Sequence, residues 1–119
     1  GFGHAAGAPA EAPLVGAALG GLDALGACGV DPARIEQARP AMAAMVRASN
    51  AEDGCYIYAY AQDLLDPGLI HVIERWRDRD ALKAHFTSPH MAEWRGVIPS
   101  LGISDRDLKL YEVASEEVV

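Results

Sequence analysis

Two histidines, His85 and His90, are the residues of this sequence best suited to proton-transfer chemistry. Imidazole exchanges a proton near neutral pH, so either residue could act as a general base. Ser88-Pro89 lies between them and predicts a new helix there, which places the two histidines on separate helices. The competing interpretation is structural, with His85 in the core and His90 capping or packing in the first turn of its helix.

Separate helices do not give the i, i+4 spacing of a helical zinc site, so no metal is expected. A weaker alternative is an iron site made of the two histidines with Glu93 or Glu74 as the carboxylate.

Aromatic residues in the same half of the chain could form the walls of a pocket. Trp76 could line it or donate its indole N–H to a substrate oxygen, although a core anchor is an equal possibility. Phe86 follows His85 on the same predicted helix, and Trp94 lies one turn after His90, where it could line the same cleft. Glu74 shares a strand face with Trp76 and could act as a base if buried, or pair with an arginine at the rim.

The strands that would support these residues follow from alternation and turn signals. The run CYIYAYAQ, Cys55 to Gln62, alternates with period two and predicts Tyr56, Tyr58 and Tyr60 on one face. These tyrosines could simply stiffen the sheet; Tyr58, in mid-strand, is the one retained as a substrate-binding candidate. Asp66-Pro67-Gly68 predicts a turn into a second strand over 69–76, which makes an antiparallel hairpin.

Helix signals flank this hairpin. Asp31-Pro32 predicts the start of a helix with a one-sided apolar stripe, kinked or broken at Pro40. Asp78 predicts the start of the helix that carries His85, and a final strand is expected over 108–113. The run 22–30 fits either a strand or a helix. As a strand it gives the α+β order β-α-β-β-α-α-β, a ferredoxin-like fold whose uncovered sheet face a second copy could cover.

Composition narrows the functional class. The 119 residues carry 10 basic and 17 acidic side chains, a net charge of −7, which disfavours nucleic acid and anionic membranes as partners. Two cysteines provide no disulfide framework, and a cytoplasmic protein is expected. Residues 1–21 are rich in Gly and Ala and are interpreted as a flexible or accessory arm before a domain over 22–119.

From about Asp31 to Val113 the sequence resembles the antibiotic biosynthesis monooxygenase family, which includes quinol monooxygenases. The resemblance lies in the order and spacing of several short motifs: Asp53-Gly54-Cys55, the Asp-Pro-Gly turn, Glu74-x-Trp76, Asp80-Ala81-Leu82-x-x-His85, Ser88-Pro89-His90 and Leu110-Tyr111-Glu112-Val113. The sequence departs from the family at its first strand, which offers Asp23 where an Asn is common.

The resemblance implies a homodimeric α+β barrel, joined through the sheet faces, that oxidises a small aromatic substrate with O₂ and without a cofactor. The substrate would be a phenol, hydroquinone or polyketide-like aromatic, with His85 or His90 as the base. Two alternatives remain open because the family is functionally mixed. One is a non-catalytic ligand-binding or stress-response barrel, and the other is an isomerase that uses the same histidines.

Overall fold

The computed structural model describes residues 21–119, so almost all of the predicted arm over residues 1–21 lies outside the described residues. Within residues 21–119, four strands, three α-helices and two short 3₁₀ turns follow one another. In chain order they are β1 (Leu22–Val30), a 3₁₀ turn (Pro32–Arg34), α1 (Ile35–Asn50), β2 (Cys55–Gln62), β3 (Leu69–Trp76), α2 (Arg79–Phe86), α3 (Pro89–Val97), a second 3₁₀ turn (Ile98–Leu101) and β4 (Ile103–Glu112). This confirms the α+β, ferredoxin-like order and makes the ambiguous run 22–30 a strand.

The strands form one antiparallel sheet in the order β2-β3-β1-β4. On β3 the alternate residues Ile70, Val72, Glu74 and Trp76 are buried against the helices, as the strand pattern predicts. Cys28 on β1 and Cys55 on β2 are separated by β3, and both thiols are free.

Helix α1 corrects one prediction. It runs from Ile35 to Asn50 through Pro40 without a break, so the helix is not split at the proline. Its Ala38 and Met45 are buried, and Met42 and Val46 pack on the same core. The stripe predicted on this helix therefore faces the sheet, and its burial holds the helix although Pro40 cannot donate a backbone hydrogen bond.

Local capping fixes where the two short helices begin. Asp78 Oδ1 accepts a hydrogen bond from the amide of Ala81, 2.9 Å away, and so starts α2. Ser88 Oγ accepts from the amide of Met91 at 3.3 Å, with Pro89 at the first position of α3. Both predicted starts are confirmed, and they place His85 in the last turn of α2 and His90 in the first turn of α3.

A register shift in β2 overturns the predicted tyrosine row. Cys55 pairs with Trp76 and Ile57 with Arg75, which leaves Tyr56 as the extra residue of a bulge. Cys55, Tyr58 and Tyr60 therefore contact the helix-side core, and Tyr56 does not belong to that row. Simple alternation failed here because a bulge shifts the period by one residue.

The other face of the sheet carries no helix among the described residues. It presents apolar side chains at its centre, among them Leu25 and Ile73, which are 41% and 40% exposed. Arg75 bridges Asp23 and Glu116 at its border, with Nε 2.9 Å from Asp23 Oδ1. Asp23 thus points away from the helices and does not replace the family's pocket-facing Asn. His71 lies on this same face, opposite in parity to Trp76, and contacts Asp63 at 2.7 Å.

Candidate active site

Glu52 connects the two candidate histidines. Its Oε2 atom lies 2.6 Å from Nδ1 of His85 and 2.6 Å from Nε2 of His90. A carboxylate only accepts hydrogen bonds, so each of these ring nitrogens is protonated and donates a hydrogen bond to Glu52. The structure therefore joins three residues, 33 and 38 positions apart in sequence, into a His85–Glu52–His90 triad.

The triad fixes which nitrogen of His85 remains available. Because Nδ1 is bound to Glu52, Nε2 is the remaining nitrogen, and it has no hydrogen-bond partner among residues 21–119. The His85 side chain is only 1% exposed, whereas that of His90 is 23% exposed. His85 is thus a shielded imidazole whose ring is oriented by Glu52, and His90 is a second, more accessible donor to Glu52.

Aromatic rings surround His85. Its ring centroid lies 4.7 Å from that of Trp76, 5.5 Å from that of Tyr58 and 5.9 Å from that of Phe86. Trp76 is fully buried, Tyr58 is 4% exposed, and Phe86 is 48% exposed. Three of the predicted substrate-binding residues therefore lie around the predicted base, with Phe86 at the open side.

Glu74 is buried beside this group. Its Oε1 accepts a hydrogen bond of 2.9 Å from the indole Nε1 of Trp76. Burial raises the pKa of Glu74 above its ordinary value, partly opposed by the Trp76 hydrogen bond and by the charge of His85. One of the two predicted roles of Glu74 was to pair with an arginine at the rim of the pocket. Its burial shows that this alternative is wrong. Because the indole N–H of Trp76 donates to Glu74, this N–H is not free to bind substrate.

Two tyrosine hydroxyls form a further buried pair. Tyr58 and Tyr60 share a hydrogen bond of 2.8 Å between their hydroxyl oxygens. Burial raises the pKa of Tyr60 to about 12 and that of Tyr58 still further, so both stay neutral over the physiological range. They can act as neutral hydrogen-bond partners and as ring surfaces.

A cleft of about 560 Å³ opens between α2, α3 and the β1–β4 side of the sheet. This volume suits a small aromatic molecule. The lining includes four of the residues described above, namely Tyr58, Glu74, His85 and Phe86. It also includes a set of apolar side chains: Ala24, Leu82, Met91, Leu108 and Leu110. Arg79, Lys83, Arg106 and Lys109 complete it.

Trp94 and His90 lie elsewhere. Trp94 stacks on Tyr60 with ring centroids 5.9 Å apart, and both Trp94 and His90 line a separate groove of about 290 Å³ between α1 and α3. The prediction that Trp94 shares a cleft with His90 holds for that groove. It does not hold for the larger cleft at His85, which neither Trp94 nor His90 lines.

Glu52, His85 and His90 are also residue types that bind metal ions. One ligand atom from each of Glu52, His85 and His90 lies within 4.8 Å of the others. The weaker alternative of an iron site thus has Glu52, not Glu93 or Glu74, as the carboxylate nearest both rings. However, ligands bound to one ion at ~2.0–2.1 Å in a tetrahedron stand ~3.3 Å apart. The 2.6 Å separations are hydrogen-bond distances, so the residues as placed fit a proton-sharing triad better than an ion.

Glu52 and Arg106 are site residues that sequence reasoning did not identify. Glu52 lies in the loop after α1, where Glu-Asp-Gly indicates a helix end and nothing more. Arg106 alternates with Leu108 and Leu110 and so faces the cleft, but it lies outside the strand predicted over 108–113, because β4 already begins at Ile103. Only the ordered path of the chain brings either residue to His85.

Comparison with known proteins agrees with this fold. Residues 26–97 match the sequence model of the antibiotic biosynthesis monooxygenase family, and the chain belongs to that family. An uncharacterized protein of Synechocystis sp. is 28% identical over 74 residues, which are 62% of this chain and 50% of that protein. The chain thus spans about half the length of the curated relative it matches.

Solved structures show the same fold. A conserved protein from Methanosarcina mazei matches with a TM-score of 0.74 at 19% identity, over 81% of this chain and 95% of that one. A Mycobacterium tuberculosis protein matches with a TM-score of 0.73 at 26% identity, over 82% of this chain and 99% of that one. A proposed antibiotic biosynthesis monooxygenase from Deinococcus radiodurans matches with a TM-score of 0.72 at 22% identity, over 82% of this chain and 95% of that one.

None of the helices within residues 21–119 is long and apolar enough to cross a bilayer.

Proposed function

We propose that this protein is a cofactor-independent monooxygenase that oxidises a phenolic, hydroquinone or polyketide-like aromatic substrate with O₂. The observation that carries the proposal is the His85–Glu52 pair at the wall of an apolar cleft, with Nε2 of His85 left as a proton acceptor. Membership of the monooxygenase family supports the same reaction class.

The first step is removal of the phenolic proton by Nε2 of His85. Glu52, which accepts from Nδ1, holds the ring in the required tautomer and stabilises the positive charge that develops on it. His90 donates to the same carboxylate oxygen and keeps it oriented toward His85. Tyr58 and Phe86, which line the cleft, are proposed to contact the flat substrate. Trp76 is fully buried, does not line the cleft and donates its N–H to Glu74, so it supports the ring of His85 instead of touching substrate.

The remaining steps need no external reductant. The substrate anion transfers one electron to O₂, and the resulting radical pair combines to form a C–O–O bond at a ring carbon that carries a hydrogen, para to the oxygen in a simple phenol and ortho to it in a hydroquinone. Loss of water then breaks the O–O bond and leaves a quinone. A phenol with a hydrogen at that carbon thus gives quinone and water, with one oxygen atom in each product. The substrate supplies all four electrons.

The experiment is oxygen uptake by metal-free protein with a panel of naphthols, hydroquinones and anthrones. The proposal expects uptake with at least one of them and quinone formation that stops in the absence of air. Ligand binding without any turnover would contradict it in favour of a binding barrel. Turnover that continues unchanged without air would contradict it in favour of an isomerase.

We also propose that two copies associate through their sheet faces. The support is the apolar centre of the uncovered face, where Leu25 and Ile73 are about two-fifths exposed, with the Arg75–Asp23 pair at its border. Burying this face against its own copy would remove apolar surface from water.

A further inference from the structure

The cleft at His85 has a charge opposite to that of the chain as a whole. The chain has 17 acidic and 10 basic residues, yet the cleft lining contains four basic side chains and a single acidic one, Glu74. Two of the basic groups are neutralised by neighbours, since Arg79 pairs with Glu112 and Lys109 with Asp107. Lys83 and Arg106 have no ion-pair partner among residues 21–119.

Arg106 lies on the cleft side of β4, where it alternates with Leu108 and Leu110, and a bulge precedes it. Ala27 pairs with Asp107 and Gly29 with Ser104, so two residues of β4, Asp105 and Arg106, lie opposite Cys28. Asp105 has φ +53°, the single non-glycine residue with positive φ among the described residues. Such a bulge redirects a side chain, and the strained φ has a cost that the rest of the fold must offset. The bulge affects the residues before Arg106, so that Ile103 also faces the helices, whereas Arg106 keeps the register that pairs Ala27 with Asp107 and lies on the same side as Leu108 and Leu110.

The electrostatic surroundings agree with this orientation. The positive charge of Arg106 is among the influences that lower the pKa values of Glu74, Tyr58 and Tyr60, which burial raises. These are groups at the inner end of the cleft or next to it. Arg106 itself is exposed, so its guanidinium remains accessible to a ligand.

From these observations we infer that the substrate carries a carboxylate, which Arg106 binds through its guanidinium while Lys83 adds positive charge at the cleft. The inference rests on the proposed function and adds the chemical class of its substrate: an aromatic acid with an ionisable ring hydroxyl. The apolar wall made by Leu82, Met91 and Leu108 accommodates the rings. A guanidinium matches the planar carboxylate in a two-pronged hydrogen bond. Because Glu74 also lines the cleft, its carboxyl group would repel a dianion more strongly than a singly charged carboxylate.

The test compares two probes that differ by the carboxylate alone, 1-naphthol and 5-hydroxy-1-naphthoate. Their dissociation constants are measured by calorimetry without oxygen at low salt. The inference expects the acid to bind roughly tenfold or more tightly than the naphthol, as charged hydrogen bonds are worth about 1.5–3 kcal/mol. Arg106→Gln should remove that preference and leave naphthol binding within about twofold. Arg47→Gln, at an exposed arginine of α1, is the matched control and should change neither constant.

A second measurement on the unaltered protein tests the same point. Raising the salt to ~0.5 M should weaken binding of the acid and leave that of the naphthol nearly unchanged. Equal binding of the two probes, an equal loss of both in Arg106→Gln, or no binding of either at millimolar concentration would overturn the inference.

These outcomes are separable from those of the proposed oxidation, because binding is measured without O₂. Oxygen uptake without any preference for the acid would overturn the carboxylate inference alone. Preference for the acid with no oxygen uptake on any phenol would overturn the proposed oxidation and leave the anion site in place.

Discussion

Nδ1 of His85 lies 2.6 Å from Oε2 of Glu52, a contact between the last turn of one helix and the loop that follows another. The pair resembles in its geometry the carboxylate–imidazole pairs that orient catalytic histidines. It makes Glu52 a positioning residue for the proposed base. The effect of replacing Glu52 can be measured separately from the effect of replacing His85 itself.

Glu52→Gln should lower kcat by about a hundredfold and leave KM within about threefold, because the amide keeps a hydrogen-bond acceptor but loses the negative charge that stabilises imidazolium. Steady-state kinetics with the best substrate of the panel measures this split. Asp53→Asn is the matched control, since Asp53 is exposed and contacts only Arg77, at 3.3 Å. Equal effects of the two substitutions would show that Glu52 has no special role.

Glu74→Gln should stabilise the protein at neutral pH. Burial raises the folded-state pKa of Glu74 above its ordinary value of 4.5, so ionisation favours the unfolded chain. The stabilising effect of a protonated Glu74 is complete below that value and is lost as the pH rises through the folded-state pKa. Each unit of elevation corresponds to about 1.4 kcal/mol.

Urea unfolding of both proteins at pH 4 and pH 7 measures this difference. The glutamine should keep the hydrogen bond from Trp76, so the two proteins should be nearly equal at pH 4 and the variant more stable at pH 7. A variant that is less stable at pH 7 would contradict the assignment of Glu74 as a buried group with a raised pKa.

Asn50 joins the end of α1 to the edge strand β2. Its Nδ2 donates to the carbonyl of Tyr58 at 2.8 Å, and its Oδ1 accepts from the amide of Tyr58 at 3.1 Å. Asn50→Ala would leave both backbone groups of this buried tyrosine without a partner, so the free energy of unfolding should fall by about 1–3 kcal/mol. Chemical denaturation measures the loss. Asn50→Ala with unchanged stability would show that water replaces these bonds without cost.

The fold could be predicted further than the site. Caps at Asp78 and Ser88 and the turn at Asp66-Pro67-Gly68 are local signals, and each acts within a few residues of the element it begins. Glu52 has no such signal, because its place in the site depends on a contact across 33 residues. Arg106 was missed because the predicted strand began at 108, whereas β4 begins at Ile103. Tyr56 shows the same limit, because a bulge removes it from a row that alternation had predicted.

Ile73→Glu should separate the proposed dimer. The side chain lies on the uncovered sheet face at 40% exposure, and a charge there would remain unpaired between two apolar surfaces. Sedimentation equilibrium at micromolar concentration should show a dimer for the unaltered protein and a monomer for the variant. Leu64→Glu is the control, because Leu64 is 99% exposed in the hairpin loop and should leave the dimer intact. An unaltered protein that sediments as a monomer would contradict the proposal.

The most direct test of the proposed chemistry is the rate and stoichiometry of oxygen consumption in the unaltered protein, His85→Gln and His90→Gln. We expect one O₂ consumed for each quinone formed without accumulation of hydrogen peroxide, a fall in kcat of about a thousandfold or more for His85→Gln, and a smaller loss for His90→Gln. A His85→Gln protein that folds normally and consumes oxygen at the unaltered rate would show that His85 is not the base.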